Sequence, residues 1–325
     1  MITLSVSSIR NALIGSLSSN LQLNYADSEI TIDHLIRCEQ YGKADHGLTR
    51  FPYLISSEKF GSYQYQSSPE MKREKQGTIF TDGTGYIGYP IISHMIQQGC
   101  IDAKKNTSCF LLTKSVYPSG ALLYWAQMAI ENGCGIILMA NSPARMTYPG
   151  GLAPVTGTNP LCIGLPTDDL PFIADFSASE ITHGTLLQSR NEGIPLPPNS
   201  AINADGTPCT DGNSVFPAKG IGAILPFGNS YKSFALGLAI ELLACLGGNT
   251  PGSFDKNQQG IFGIVMGPEL INMSRPAISN WLESLTSNNI RIPGFESYQR
   301  FKKFEKSGTV EISEKLHHLI KPYIS

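Results

Sequence analysis

Asp45, His46 and Arg50 stand close together in the stretch EQYGKADHGLTRFPYL, residues 39–54, between and beside glycines at 42 and 47. A carboxylate and an imidazole suit acid–base work. The guanidinium suits a substrate carboxylate, because its planar fork meets the two oxygens through parallel N–H bonds. The same residue types also make a polar turn between two helices, and this stretch alone reads either way. Neighbouring side chains generally point apart, so no bond between Asp45 and His46 is expected.

Further along, ANSPARMTYPGGLAPVTGTNPLCIGLPT carries Gly150, Gly151 and Gly157, which let backbone approach a ligand or turn tightly. Thr158 and Asn159 put compact polar groups at the same place. ADFSAS sets Asp175 at the end of an apolar run, ahead of small hydroxyl residues. In LPFGNSYKSFALGLAIELLACLGG, Lys232 precedes a largely apolar helix, where the helix dipole disfavours a cation unless a ligand brings an anion. Gly83, Gly85 and Gly88 in IFTDGTGYIGYPIISHM fit G-x-G-x-x-G between a strand and a helix, the setting of a dinucleotide fingerprint. No strand ending in an acidic residue follows at the usual separation, which favours a glycine-rich strand-to-helix turn.

These residues need a scaffold. Helical periodicity runs through residues 5–42, with Asp27 or Ser28 as the expected N-cap of the second helix. SYQYQSSPEMKREKQ reads as a polar connector. Short apolar runs bounded by turns predict strands at GTIFTDG, SCFLLTKS, CGIILMANS, PLCIGLPT, FIADFSAS and GIFGIVMGP. Helices are expected at YPIISHMIQQGCIDAKKN, GALLYWAQMAIENG and 233–247, with more helix at the end and a turn-rich segment, PLPPNSAINADGTPCTDGNSVFPAKGIG.

The 325 residues have room for one large or two ordinary domains. Charged residues are only 15% of the chain, below the roughly 25% usual for soluble domains, which predicts further area buried in an oligomer. A net charge of −2 without long basic runs argues against nucleic acid or an acidic membrane surface as partner. No signal peptide is read at the N-terminus, and the longest apolar run is too short to span a bilayer and contains Glu241. Seven scattered cysteines in apolar surroundings read as reduced thiols of a cytoplasmic protein, with no metal site.

In order, YGKADHGLTR, GGLAPVTGTNPLCIGLP, ADFSAS, YKSFALGLAIELL and IRIPGF resemble the type-2 malate/L-lactate dehydrogenase family over most of the chain. That family includes ureidoglycolate and sulfolactate dehydrogenases and reductases of cyclic imines such as piperideine-2-carboxylate. The resemblance implies an α/β, non-Rossmann fold: a largely antiparallel sheet binding NAD or NADP, and a helical domain built from both chain ends. Residues 76–264 would form the cofactor domain, and 1–75 with 265–325 the helical cap. It also implies a homodimer with the active site near the interface.

By the same resemblance, His46 is the active-site histidine, and Arg50 with Thr158 binds the substrate carboxylate. Ser142, Asn159, Asp175, Phe176, Ser177 and Lys232 hold the cofactor. Asp45 replaces the family's usual serine, and Ser233 stands where the family has glycine. Aligning Gly120, Ala121, Tyr124 and Ala129 puts Pro118 at the place of a second family histidine, with Tyr117 just before it as a proton donor. Oxidising a hydroxy acid needs a general base. Reducing an imine needs less, because its nitrogen enters protonated, with Asp45 and Asp175 to stabilise the iminium. The expected activity is therefore NAD(P)H-dependent reduction of a small 2-imino or 2-oxo carboxylate. The alternatives are a 2-hydroxy-acid dehydrogenase, non-redox chemistry in the same pocket, or a binding protein that kept only the fold.

Overall fold

The computed structural model describes residues 1–62, 69, 71–75, 77–215 and 222–324. Its strands are β1 (Ile2–Ser5), β2 (Met71–Lys75), β3 (Thr78–Asp82), β4 (Ser108–Lys114), β5 (Gly135–Ala140), β6 (Pro160–Leu165) and β7 (Phe172–Ser177), then the short β8 (Ala201–Ile202), β9 (Pro208–Cys209) and β10 (Ala223–Ile224), and finally β11 (Ile261–Met266) and β12 (Thr309–Ile312). The central sheet has the order β2-β3-β4-β11-β5-β6-β7. Only β3 and β4 run parallel; the other neighbours are antiparallel. The late strand β11 enters between β4 and β5, so the sheet closes only after most of the chain has been laid down.

The helices are α1 (Val6–Leu21), α2 (Tyr25–Gln40), α3 (Phe51–Ser56), α4 (Glu58–Gly61), α5 (Gly88–Asn106), α6 (Leu122–Glu131), α7 (His183–Glu192), α8 (Tyr231–Ala244), α9 (Pro268–Asn272), α10 (Arg275–Ser287), α11 (Phe295–Ser307) and α12 (Glu314–Ile324). Helices α5, α6 and α8 pack on the central sheet. The chain ends meet: β1 pairs antiparallel with β12, Ile2 opposite Ile312, while α1 packs on both α2 and α12. One apolar core joins these helices to the sheet, from Ile9 through Trp125 and Val265 to Ile320.

The predicted strands and helices form close to the runs that suggested them, with corrections at their edges. Helix α2 is capped by Asn24, whose side chain accepts from Asp27 N–H at 2.9 Å. Asp27 lies inside the first turn, and its carboxylate accepts from Tyr86 Oη. Within the supposed connector, residues 71–75 are β2, an edge strand whose polar sequence hides the alternation that marks a half-buried strand. The rest of that stretch lies partly outside the described residues. The central sheet accordingly starts at 71, and a boundary at 265 cuts through β11. Helix α8 begins two residues before the expected 233 and ends at Ala244. The turn-rich segment holds β8 and β9, which join β10 just beyond it in the small sheet β10-β8-β9, and a separate cluster of Ile181, Leu186, Leu196 and Ile224 lies beside it. All seven cysteines are buried free thiols. Among the described residues no helix is long and apolar enough to cross a membrane.

Candidate active site

The turn after α2 carries Asp45, His46 and Arg50, and a buried glutamate shapes it. Glu39 Oε1 accepts from Leu48 N–H at 2.8 Å. A Cβ at Gly47 would stand 2.4 Å from the same oxygen, so only glycine lets the turn close over Glu39. Burial raises the Glu39 carboxyl to about 7 against the lowering pull of the Leu48 bond. Two 3₁₀ turns follow, Ala44–His46 and Leu48–Arg50, and lead into α3.

In this geometry the neighbours Asp45 and His46 do bond: His46 Nδ1 lies 3.0 Å from Asp45 Oδ1. The expectation that adjacent side chains point apart holds for regular helix and fails in this short turn. Thr182, the N-cap of α7, donates to the other carboxylate oxygen at 3.2 Å. Burial would raise Asp45, but the bond and charge of His46, then Arg50 and Thr182, hold it well below the usual carboxylate range. Arg50 Nε donates to Asp45 O at 2.7 Å, which anchors the guanidinium and leaves its terminal fork for a ligand.

These side chains open into one cleft. It is walled by Tyr53 and Leu54 of α3, by the loop Tyr117–Leu122, by Asn141–Pro143 and Arg145 after β5, and by the end of β7. Thr182–Gly184 and the Lys256 and Gln259 loop close the remaining side. The loop wall is pinned from behind. Ala121 N–H donates to His34 Nε2 at 3.1 Å, and Trp125 Nε1 donates to Ser119 O at 2.6 Å. Buried His34 is pushed down to about 3 by its enclosure and by His46, so it serves as a neutral acceptor. Asp175 Oδ2 accepts from Leu123 N–H at 2.9 Å, at the first turn of α6. Enclosure raises the Asp175 carboxyl, against Leu123, Lys43 and His46.

Of the sequence-predicted residues, the cleft brings together Asp45, His46, Arg50, Tyr117, Ser142, Thr158, Asp175, Phe176 and Ser177. Ser142 Oγ accepts from Thr158 N–H at 3.0 Å, which joins the loops after β5 and before β6. Asn159 is different. It is fully buried and does not line the cleft. Its amide carbonyl accepts from Ser142 N–H at 3.2 Å, and its nitrogen donates to Gly237 O at 2.9 Å and Glu241 Oε2 at 2.7 Å. Asn141 donates to the other Glu241 oxygen at 3.0 Å, so a carboxylate on α8 ties down both site loops. Lys232 also stays outside the cleft, exposed on the first turn of α8. In the G-x-G-x-x-G stretch Gly83 and Gly88 serve packing, and Gly85 takes a φ of 77°: Gly88 N–H donates to Tyr117 O at 3.1 Å, and a Cβ there would meet Pro118 O at 2.4 Å.

Sequence reasoning missed Tyr53, Lys256, Lys43 and Arg145. Tyr53 follows Arg50 by three residues, a helical spacing that puts both on one face. The other three carry no local signal. Lys43, Arg50, Arg145 and Lys256 set four cations against the two carboxylates Asp45 and Asp175, a surplus of two positive charges before His46 is considered. Such a lining suits an anionic ligand. The cleft volume, about 210 Å³, is below the range usual for ligand sites and fits a compact acid better than a whole dinucleotide. Phe176, apolar yet 42% exposed, offers a stacking face at the rim beside Ser177.

The sequence profile of the malate/L-lactate dehydrogenase family matches residues 9–321. The chain belongs to this family. It is 27% identical to a malate/(S)-sulfolactate dehydrogenase of Methanothermus fervidus, over 95% of this chain and 94% of that one. It is also 27% identical to a Δ1-pyrroline-2-carboxylate/Δ1-piperideine-2-carboxylate reductase of Pseudomonas putida, over 66% of this chain and 62% of the other. The crystal structure of a dehydrogenase from Sinorhizobium meliloti superposes with a TM-score of 0.88 at 25% identity, covering 100% of this chain and 98% of that chain. The relatives are oxidoreductases, acting by name on hydroxy acids and on a cyclic imine carboxylate.

Proposed function

We propose that the protein is an NAD(P)H-dependent reductase of a small 2-oxo or 2-imino carboxylate. The observation that carries this reading is the convergence of a carboxylate clamp, Arg50, with a carboxylate-held imidazole, His46–Asp45, in a cleft of net positive charge. Arg50 and Thr158 orient the substrate carboxylate. His46, fixed through Nδ1, has Nε2 left to hydrogen-bond the reacting atom.

The donor set around the rim fits a dinucleotide: hydroxyls at Ser142 and Ser177, the open aromatic face of Phe176, and nearby cations. Bound NAD(P)H would supply the hydride. Enclosed Asp175 would face a protonated imine, which favours imine substrates beside keto acids.

We further propose a homodimer through α8 and the 3₁₀ turn Cys245–Gly247 that follows it. Leu238, Leu242 and Leu246 are 41%, 53% and 62% exposed at four-residue spacing, next to exposed Tyr231. A bare apolar stripe of this kind marks a contact surface. The seven reduced, buried thiols fit a cytoplasmic location.

The test is a fluorescence titration with NADPH and with NADH, then turnover of oxaloacetate, pyruvate, 3-sulfopyruvate and Δ1-piperideine-2-carboxylate. Saturable cofactor binding with turnover of at least one acid supports the reading. A folded protein that binds neither cofactor refutes it.

A further inference from the structure

Tyr53 and Lys256, far apart in sequence and both on the cleft wall, form a pair that the acid–base group at His46 does not involve. Lys256 Nζ donates to Tyr53 Oη at 2.7 Å, and its ammonium also lies 5.1 Å from the Tyr53 ring centre and 5.3 Å from that of Tyr117. Tyr117 Oη is 3.3 Å from Tyr53 Oη and stacks its ring on Phe60. Lys256 donates to the Tyr53 oxygen, and the hydroxyls of Tyr117 and Ser57 are its other partners. The Tyr53 hydroxyl keeps one proton of its own, which can turn from a neighbouring hydroxyl to a ligand oxygen in the cleft that it lines. Tyr53 sits one turn after Arg50 on the same cleft wall, so such a ligand oxygen lies beside whatever the Arg50 fork holds. In a 2-oxo acid the carbonyl oxygen sits on C2, the carbon that bears the carboxylate.

We propose that Tyr53, backed by Lys256 and Tyr117, is the proton donor to the 2-oxo oxygen. This rests on the reductase reading above. The substrate C2 gains a hydride from NAD(P)H, which is oxidised to NAD(P)⁺. The C2–O π pair takes the proton from Tyr53 Oη, and a 2-hydroxy carboxylate leaves. The phenolate left behind is held by the Lys256 ammonium until solvent returns the proton. In the reverse direction the same phenolate is the general base for a hydroxy acid. Pro118, on the same wall, has no proton to give.

The electrostatics agree. Burial would raise the Tyr53 phenol, but the hydrogen bond from Lys256, the bond from Tyr117 and the Lys256 charge bring it below its ordinary value. Tyr117 moves the other way, raised by burial and by Tyr53, so Tyr53 and not Tyr117 ionises first. Besides these groups, Ser57 bonds Tyr53, while Arg50 and Tyr89 stand near the tyrosine pair. The proposal distinguishes substrates. A 2-oxo acid needs the Tyr53 proton, whereas a cyclic imine enters already protonated.

The experiment uses Tyr53→Phe and Lys256→Met beside the wild type. Ultraviolet difference titration of the tyrosines comes first, since it needs neither cofactor nor substrate. The wild type should show one tyrosine ionising below the others, absent in Tyr53→Phe and moved upward in Lys256→Met. Steady-state reduction of oxaloacetate, pyruvate and 3-sulfopyruvate should then fall ~10²–10⁴-fold in kcat with Tyr53→Phe, with KM little changed. Reduction of Δ1-piperideine-2-carboxylate should stay within a few-fold. No low-titrating tyrosine in the wild type, or undiminished keto-acid turnover in Tyr53→Phe, overturns the assignment to Tyr53. A wild type that binds neither NADPH nor NADH instead overturns the reductase reading, and the donor role with it.

Discussion

His46 Nδ1 lies 3.0 Å from Asp45 Oδ1, a bond between sequence neighbours that the two 3₁₀ turns make geometrically possible. The pair fixes which imidazole nitrogen remains for a ligand. Replacing His46 by Ala removes its hydrogen bond to the reacting atom and should lower kcat by ~10²–10³ while NADPH or NADH affinity survives. Asp45→Asn, which keeps the shape but removes the charge, should cost less. Steady-state rates beside a cofactor titration check both, and unchanged turnover in His46→Ala removes the imidazole from the chemistry.

Arg50 is held by its Nε on Asp45 O, with its fork free to grip two oxygens. Arg50→Leu should raise KM for any 2-oxo acid at least tenfold. Arg50→Lys should recover little, because an ammonium cannot make the paired bonds. Equal KM values for wild type and Arg50→Leu would place the substrate carboxylate elsewhere.

Glu39 gives a pH signature. Its carboxyl is raised from 4.5 to about 7 by burial, so the folded state holds a proton that the unfolded chain releases sooner. Its favourable contribution is complete below pH 4.5 and is lost as pH rises toward 7. Compared with Glu39→Gln, the wild type should therefore lose on the order of 2 kcal/mol between those values. Asp45 has the opposite sign: its depressed carboxyl stabilises the fold at neutral pH, and that support fades only as pH falls below the usual carboxylate range. Denaturant titrations of wild type and Glu39→Gln at pH 5 and pH 8 measure the difference, and parallel curves would rule out a buried, late-titrating Glu39.

The apolar stripe along α8 and the turn after it yields a third kind of outcome. Leu242→Glu should shift the protein from dimer to monomer in light scattering. An unchanged mass would leave Leu238, Leu242 and Leu246 without the contact proposed for them.

Much of this was legible in the sequence. Apolar runs such as SCFLLTKS and FIADFSAS became β4 and β7 because strands with buried faces must be built from such runs. The turn at 45–50 was legible because catalysis and turn formation ask for the same residue types. Edge strand β2 was not, since its sequence is polar. Asn159 and Lys232 were placed by likeness to a motif, which carries residue type but not direction: one amide turns inward to Glu241, and one ammonium stays out on α8. Lys256 was invisible for another reason. Only the folded chain brings it to Tyr53, and nothing in its neighbours announces that meeting.

The pairing of β1 with β12 has a consequence for biosynthesis. Residues 2–21 are made first, yet the strand and helix they pack against lie at 309–324. At about 5–20 residues per second, roughly 15 to 60 s of translation separate the two. Through that interval α1 and α2 lack part of their floor, and the turn that Glu39 shapes hangs from α2. The helix pair that carries the Glu39 turn thus gains this part of its packing only once residues 309–324 have been made.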